Sequence, residues 1–176
     1  MPFKYLTTFV SLIRKQLDNT SNQVALAEEL QTCKLYLELE AMRFDGRIDF
    51  HFDITGKELL NQVLIPPLTL QAVVENAVIH GLLTREAGGR IDIKVYCKDS
   101  RVNCEIQDNG IGRIAAAKLK EKSSHLHHSK GIHLLQERIT LHNLIHKQDD
   151  SMQTIDLYHA NGQAAGTTVI FKFKQL

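Results

Sequence analysis

The sequence has almost no net charge, few cysteines and no long apolar run, and these lacks exclude several classes of protein. Its 21 Lys and Arg residues are balanced by 20 Asp and Glu residues, so we expect no binding to nucleic acid or to a membrane surface. The three cysteines include no CxxC pair, so neither a disulfide framework nor a thiolate metal site is predicted. No apolar run approaches 18 residues, and MPFKYLTTFV lacks a secretion signal. We therefore expect the 176 residues to form a soluble, cytoplasmic domain with reduced cysteines.

Two helices are predicted at the start of the chain. In the first, a 3-4-3-4 spacing forms an apolar seam, which either folds back on its own domain or belongs to a helical hairpin or a dimer. The seam consists of Phe3, Leu6, Val10, Ile13 and Leu17. In the second helix, one predicted face is apolar and the other is charged. The apolar face holds Leu26, Leu30, Cys33 and Leu37, and the charged residues placed away from it are Glu28, Glu29, Lys34 and Glu38.

The rest of the chain predicts an α+β fold. Alternating apolar residues mark strands in RIDFHFDI, RIDIKVYCK, RVNCEIQ, MQTIDLYHA and TTVIFKFK, with hairpins at KDS and NGQAAG. Helices are predicted from Pro67 to about Leu83, over IAAAKLKEK, and over IHLLQERITLHNLI. Without regular βαβ repeats, this order indicates a two-layer sandwich: one mixed, mostly antiparallel sheet with helices on one face, preceded by N-terminal helices. We expect residues 1–44 to form a helical segment and residues 45–176 to form the main domain.

The stretch VVENAVIHG places polar groups inside an otherwise apolar helix. Asn76 and His80 are four residues apart and share a face, and Glu75 is adjacent. Carboxamide and carboxylate oxygens are hard ligands that suit Mg²⁺, which shares its oxygen ligands with phosphates. Taken alone, the stretch is better explained by an Asn76 side chain that caps or bridges neighbouring backbone groups.

Two further stretches have the composition of a ligand site. DNGIG follows a strand directly, and its glycines at 110 and 112 allow close approach of a ligand or a positive φ, although a plain Asn-Gly turn has the same sequence. In SKGIHLLQERI, Lys130 and Gly131 stand immediately before a helix, where backbone N–H groups favour an anion. An ordinary junction between a loop and a helix also fits this second stretch.

The order of these stretches is more specific than any one of them. An Asn-bearing helix, a strand with DNGIG, a loop–Gly–helix and a strand opened by GTT resemble the Bergerat-type ATP-binding domain of gyrase, Hsp90-type chaperones, histidine kinases and MutL. More narrowly, LYLELEAMRF, IPPLTLQAVVENAVIHGL, DNGIG and GIHLLQERI resemble LytS-like sensor histidine kinases over residues 24–174.

The resemblance implies ATP and Mg²⁺ as cofactors and a role for each matching residue. Asn76 would be the Mg²⁺ ligand, and Glu75 would support the metal or polarise the phosphoryl acceptor. Asp108 would bind the adenine amino group with help from Thr167, and Gly110 and Gly112 would open the adenine pocket. The residues placed near the phosphates are His80, Lys130 and Gly131, and residues 111–130 would form the ATP lid.

Two positions depart from the family pattern. Many relatives carry an amide or an acid four residues before the metal-binding Asn, where this chain has Ala72, and the second glycine that often opens the lid helix is His133 here. Both departures concern the rate of phosphoryl transfer. They keep open an alternative function, a nucleotide-binding interaction module without transfer. An ATP-dependent serine kinase has the same fold, but LYLELEAMRF and the IPP segment favour the sensor kinases.

The family also implies an acceptor histidine, and residues 1–50 contain none; the first histidine is His51, in a predicted strand. We therefore expect this chain to bind Mg–ATP without phosphorylating itself. The implied partners are the receiver domain of a response regulator and a second copy through the helical region, and the full-length protein would be anchored in the bacterial inner membrane. His125, His127 and His128 have too few partners in the sequence for a zinc site. His142, His146 and His159 are predicted at the surface or its boundary.

Overall fold

The computed structural model describes residues 2–18, 22–82, 88–116 and 131–175. The helices are α1 (Pro2–Asp18), α2 (Leu26–Arg43), α3 (Thr69–Asn76) and α4 (Gly131–His146), and α3 continues as a π-helical turn over Ala77–Leu82. The strands are β1 (Val24–Ala25), β2 (Ile48–Ile54), β3 (Leu64–Ile65), β4 (Gly89–Lys98), β5 (Arg101–Asp108), β6 (Ser151–Tyr158) and β7 (Ala164–Lys174). A 3₁₀ turn covers Lys57–Leu59, and residues 113–116 are helical. No helix among these residues has the length and hydropathy needed to cross a bilayer.

Five of the strands form one mixed sheet in the order β2-β4-β5-β7-β6. Only β2 and β4 pair in parallel, and the other neighbours are antiparallel. The β4–β5 hairpin turns at Asp99 and Ser100, which both have positive φ, as a two-residue hairpin loop requires. Buried apolar residues of α2, α3, α4 and the sheet form one continuous cluster. The predicted α+β two-layer fold is therefore confirmed.

One face of α2 is buried as predicted, but one of its charged residues was placed wrongly. Leu26, Leu30, Cys33 and Leu37 are all at most 4% exposed. Glu29 was predicted to point away from this face, yet it is only 2% exposed. Its carboxylate accepts hydrogen bonds from backbone N–H groups at the start of α3. Helical periodicity shows which residues share a face, but it does not show that another helix end will supply donors to a carboxylate.

The apolar seam of α1 is not the side that packs on the domain. Thr8 and Leu12 are buried and α1 contacts α2, whereas the described seam residues Leu6, Val10 and Ile13 are exposed. Tyr5 and Phe9 are exposed too, and their rings stack with centroids 6.5 Å apart. The helix thus lies against α2 and still presents an apolar face to the outside.

The helix predicted from Pro67 begins two residues later. Leu68 has a φ of 62°, a left-handed conformation that ends the preceding turn, and α3 starts at Thr69. The Thr69 hydroxyl donates to the Pro66 carbonyl at 2.6 Å and closes this turn. The short β1–β3 ladder, in which Val24 pairs with Ile65, was not predicted. That ladder fixes the start of α2 beside the chain that leads into α3.

His142 was predicted at the surface or its boundary, but it is 5% exposed. Its Nε2 lies 2.8 Å from Gln23 Nε2, so a neutral ring accepts a hydrogen bond from that amide. Its Nδ1 lies 3.8 Å from an Asp150 carboxylate oxygen, too far for a hydrogen bond. Burial, together with the neighbouring His146, lowers the pKa of His142 below its ordinary value of 6.5.

This lowered pKa predicts a loss of stability in mild acid. As pH falls below 6.5, the unfolded chain takes up the proton at position 142 before the folded chain does, so folding becomes less favourable. We expect the free energy of unfolding, measured in urea at pH 7.5 and at pH 5.5, to decrease more in the native chain than in His142→Gln. The exposed His159→Gln variant is the matched control and should lose as much stability as the native chain. Equal losses in all three proteins would contradict the prediction.

Candidate functional site

Asn76 lies where two helix ends meet. It is the last residue of α3, after which the backbone widens into the π-helical turn Ala77–Leu82. A Cβ built on Gly131, the first residue of α4, would lie 3.7 Å from Asn76 Nδ2. Widened turns of this kind are frequent at functional sites. The predicted Asn76 and Gly131 are thus brought together at the start of the 16-residue α4.

Asp108 ends β5 next to the same widened turn. It is buried, and its Oδ1 accepts a hydrogen bond of 2.7 Å from the Gly110 N–H. Gly81, from the widened turn, passes so close that a Cβ on it would lie 3.1 Å from this oxygen. The Ile111 N–H also donates to the Gly81 carbonyl at 3.2 Å. Asp108 is therefore held at the end of the sheet by backbone from its own loop and from the end of the Asn76 helix.

Close approach of backbone explains the glycine at 110. A Cβ there would lie 2.6 Å from the carbonyl carbon of Gly81 and 2.7 Å from Asp108 Oδ1, far inside contact distance. Gly112 has a φ of 76°, and a Cβ on it would lie 2.8 Å from Ala164 Cβ. The two predicted glycines are therefore required by the local backbone, whatever a ligand adds.

Thr167 stands across the ladder from Asp108 in β7. Gly166 precedes it with a φ of 125°, beside the Asp108 backbone. The chain beyond Gly112 is tied to the neighbouring strand by Arg113, whose guanidinium makes two hydrogen bonds of 2.7 Å to the Asp156 carboxylate. The predicted residues of the DNGIG and GTT stretches are thus brought together at one end of the sheet.

Glu75 and His80 are both half-buried. The Glu75 carboxylate accepts a hydrogen bond of 2.6 Å from Gln71 Nε2. Its charge adds to the raised pKa of the Cys33 thiol and of the Tyr36 hydroxyl on α2, after burial as the main cause. His80 lies on the widened turn, four residues beyond Asn76.

Some predicted residues lie outside the described part of the chain: Lys130, residues 117–130 of the expected lid, and the three histidines His125, His127 and His128. Within the described part, no cluster of three or more His, Cys, Asp or Glu residues is arranged to hold a metal. Sequence reasoning missed Gly81, Glu29 and Gln71. A glycine inside a predicted helix is a signal for the first of these, because such a glycine often has a packing or functional reason.

The fold is that of histidine kinase catalytic domains. The catalytic domain of histidine kinase ThkA superposes with a TM-score of 0.54 at 15% identity, over 87% of this chain and 95% of that one. Histidine kinase ThkA in complex with the response regulator protein TrrA gives a TM-score of 0.55 at 16% identity, over 99% of this chain and 49% of that one.

Sequence relatives narrow the similarity to sensor histidine kinases. The family model described as "Histidine kinase" matches residues 3–48. The chain is 36% identical over 106 residues to the sensor histidine kinase BtsS of Escherichia coli, which is 60% of this chain and 18% of BtsS. It is 35% identical over 92 residues to the sensor protein LytS of Staphylococcus epidermidis, which is 52% of this chain and 15% of LytS. The resemblance to LytS-like sensor histidine kinases is confirmed, and the match spans less than a fifth of these relatives' length.

Proposed function

We propose that this chain is the ATP-binding catalytic part of a two-component sensor histidine kinase, and that it directs the γ-phosphoryl group of ATP to a histidine outside its own sequence. The observation that carries the proposal is that one short segment, the turn Ala77–Leu82, connects the polar residues Asn76 and Asp108. Asn76 stands beside the start of α4, and five residues later Gly81 contacts Asp108. A nucleotide with its base at Asp108 and its phosphates at Asn76 would span these two centres.

The residues at the sheet end suit an adenine base. Asp108 uses one oxygen for the Gly110 N–H, and a carboxylate has capacity to accept further hydrogen bonds, including one from the adenine amino group. Thr167 lies opposite, where its hydroxyl would assist. Gly81 and Gly110 let two backbone segments pack closely around the Asp108 carboxylate, which holds it in place for a base.

The residues at the helix ends suit a magnesium–phosphate group. The Asn76 carboxamide supplies a hard oxygen of the type that Mg²⁺ accepts, and the first N–H groups of α4 favour an anion. Bound Mg²⁺ would neutralise the charge of the phosphates. Gly131, Lys130 and His80 are proposed to contact the phosphates, and Glu75 to support the metal or the phosphoryl acceptor. Such a site acts mostly by positioning and by charge neutralisation.

Calorimetric titration with ATP tests this assignment. We expect the native chain to bind ATP, to bind more tightly with Mg²⁺, and to lose most of that gain in Asn76→Ala, because the carboxamide oxygen is a metal ligand. Removing one ligand should reduce the magnesium-dependent gain by about tenfold or more. The exposed Asn161→Ala variant, in the β6–β7 turn, is the control. A native chain that binds no nucleotide would refute the proposal.

The alternative, a nucleotide-binding module without phosphoryl transfer, is favoured by Ala72 and by His133. The His133 ring points away from the domain at 70% exposure and lies 3.4 Å from Glu137. Mixing the chain and ATP with a fragment that carries the acceptor histidine separates the two functions. The kinase predicts acid-labile phosphohistidine on the fragment and none on the chain alone, whereas the module predicts none on either.

The helical region supports two further parts of the proposal. The exposed apolar face of α1 is suited to pairing with a second copy of the chain. Sedimentation of the native chain, compared with Val10→Glu, tests this pairing.

The ATP-binding unit is proposed to begin near Val24 instead of residue 45, because buried residues of α2 belong to the same core as those of the sheet. A fragment that starts at residue 45 should then fail to fold, as judged by circular dichroism.

The remaining partners are proposed from the relatives. The complex of ThkA with TrrA supports a response regulator receiver domain as the phosphoryl recipient of the full-length protein. A transfer assay with purified receiver domains tests it. Anchoring of the full-length protein in the bacterial inner membrane is proposed on the sensor-kinase resemblance alone, and cell fractionation tests it.

A further inference from the structure

The start of α3 is capped by a carboxylate from another helix. Glu29, on α2, accepts hydrogen bonds from the backbone N–H groups of Leu68 at 2.7 Å and Leu70 at 3.0 Å, with a longer contact to Gln71 at 3.4 Å. These groups precede or belong to the first turn of α3, where a helix has no acceptors of its own. The residue at the usual capping position is Leu68, whose side chain offers no acceptor. Glu29 takes over that role from 39 residues away.

Several contacts hold Glu29 and this turn in a fixed place. The β1–β3 ladder pairs Val24 with Ile65, and the Leu26 N–H donates to the Val63 carbonyl at 2.9 Å, so α2 cannot slide along the chain that leads into α3. From the other side, Arg138 of α4 donates to the Pro67 carbonyl at 2.5 Å. Burial raises the pKa of Glu29, and the backbone hydrogen bonds and Arg138 oppose that rise.

Gln71 connects the capped turn to the site. It is 3% exposed, its backbone N–H faces Glu29, and its Nε2 donates to the Glu75 carboxylate at 2.6 Å. Glu75 and Gln71 are one turn apart, and Glu75 precedes Asn76 directly. Gln71 Oε1 is buried and accepts no hydrogen bond within the described residues, so the donation to Glu75 is the polar contact that this side chain makes there.

We propose that Glu29 and Gln71 are positioning residues for Asn76 and Glu75. Glu29 fixes the position of α3 along its own axis, and Gln71 fixes the rotation of its last turn about that axis. The inference rests on the proposed nucleotide site. α3 has only eight residues, and beyond Asn76 its backbone continues with π-helical hydrogen bonds. The position of Asn76 is therefore set mainly by the α-helical hydrogen bonds that lead back to the capped start of the helix. The two residues reach the nucleotide only through α3 and do not touch it.

The test uses the native chain and two conservative variants. Gln71→Met keeps the length and volume of the side chain, removes the donor to Glu75, and removes the unsatisfied oxygen, so folding should be preserved. Glu29→Gln keeps the shape and one acceptor oxygen but turns an amide toward backbone N–H groups. The controls are Glu28→Gln, one residue away on the exposed side of α2, and the exposed Gln62→Met.

Two measurements are made on each protein. The first is the ratio of ATP dissociation constants without and with Mg²⁺, at a temperature where all variants are folded. We expect this ratio to fall by roughly threefold to tenfold in Gln71→Met with an unchanged Tm, and at least as much in Glu29→Gln. The second is amide hydrogen exchange at residues 75–77 without nucleotide, which should become faster in both variants and in neither control. A merely structural role would change Tm and leave the magnesium ratio as it is.

The outcomes separate this inference from the proposed function. If the native chain binds ATP and both variants keep the native ratio, the positioning role is overturned and the nucleotide site stands. If the native chain binds no ATP, the proposed nucleotide site is refuted, and the hydrogen-exchange measurement alone tests the positioning of residues 75–77. Faster exchange at residues 75–77 then supports the link through Gln71. Faster exchange that is confined to residues 68–71 overturns that link.

Discussion

Replacing Asp108 by asparagine is expected to weaken ATP binding by about 10- to 100-fold while the domain remains folded. The substitution retains an oxygen for the Gly110 N–H, which lies 2.7 Å from the native carboxylate. It replaces the other oxygen by an NH₂ group, so a donor would face the donating amino group of adenine. Losing a hydrogen bond to a charged group and leaving two donors opposed costs about 1.5–3 kcal/mol. Calorimetric titration measures the affinity, and thermal unfolding checks the fold.

The choice of base gives this prediction a second readout. Guanine carries a carbonyl where adenine carries its amino group, so an amide NH₂ at position 108 can donate to it. The preference of the native chain for ATP over GTP should therefore shrink in Asp108→Asn. Asp53→Asn, on the exposed side of the edge strand β2, is the matched control and should bind like the native chain. An Asp108→Asn affinity within threefold of native, with unchanged base preference, would show that Asp108 does not read the base.

The sheet and its hairpins were predictable because their information is local. In β4 the buried residues Ile91, Ile93 and Val95 alternate with more exposed ones, and the pattern in the sequence is the same. The positive φ of Asp99 and Ser100 fits residues that tolerate turns. The order β2-β4-β5-β7-β6 with one parallel pair is a different matter. It was not predicted, because the pattern of a single strand does not show which strands pair in the fold.

The residues proposed for the site could be picked out from the sequence, but the connections between them could not. Asn76, Asp108 and Gly110 stand in recognisable stretches, and the structure brings them to neighbouring helix and strand ends. Nothing in the local sequence says that Gly81 must pass between them, since the constraint is the distance from its backbone to a residue 29 positions later. The widened turn Ala77–Leu82 is equally invisible, because an apolar helical pattern does not distinguish α from π geometry over six residues.

The two buried polar residues that were placed at the surface share one cause. Glu29 and His142 both follow helical patterns that allow either burial or exposure, and both are buried because a distant segment supplies a hydrogen-bond partner. The partner of Glu29 is a helix start 39 residues away, and that of His142 is Gln23, 119 residues away. Burial of a polar side chain is decided by whether a partner is present, and the partner is set by the fold.

Gly166→Ala is expected to cause a large loss of stability, about 3 kcal/mol or more. The residue has a φ of 125°, where a side chain is strained, and an added Cβ would collide with the Asp108 carbonyl oxygen and lie 2.8 Å from its carbon. The collision is with the backbone of the central strand β5, so relief requires β5 and β7 to separate or Asp108 to move. Overpacking costs about 1–3 kcal/mol and the strained conformation adds about 1–2 kcal/mol.

Gly162→Ala separates these two causes. This glycine, in the β6–β7 hairpin, also has a positive φ, 79°, but a Cβ on it meets nothing within 4 Å. Urea unfolding should therefore give a loss of about 1–2 kcal/mol for Gly162→Ala, the strain alone, and at least about twice that for Gly166→Ala. Because the collision moves Asp108, Gly166→Ala should also lose ATP affinity where the folded protein is still populated, whereas Gly162→Ala should retain it. Equal stability losses in the two variants would mean that the strands separate without cost, and Asp108 would then not be held by the backbone of β7.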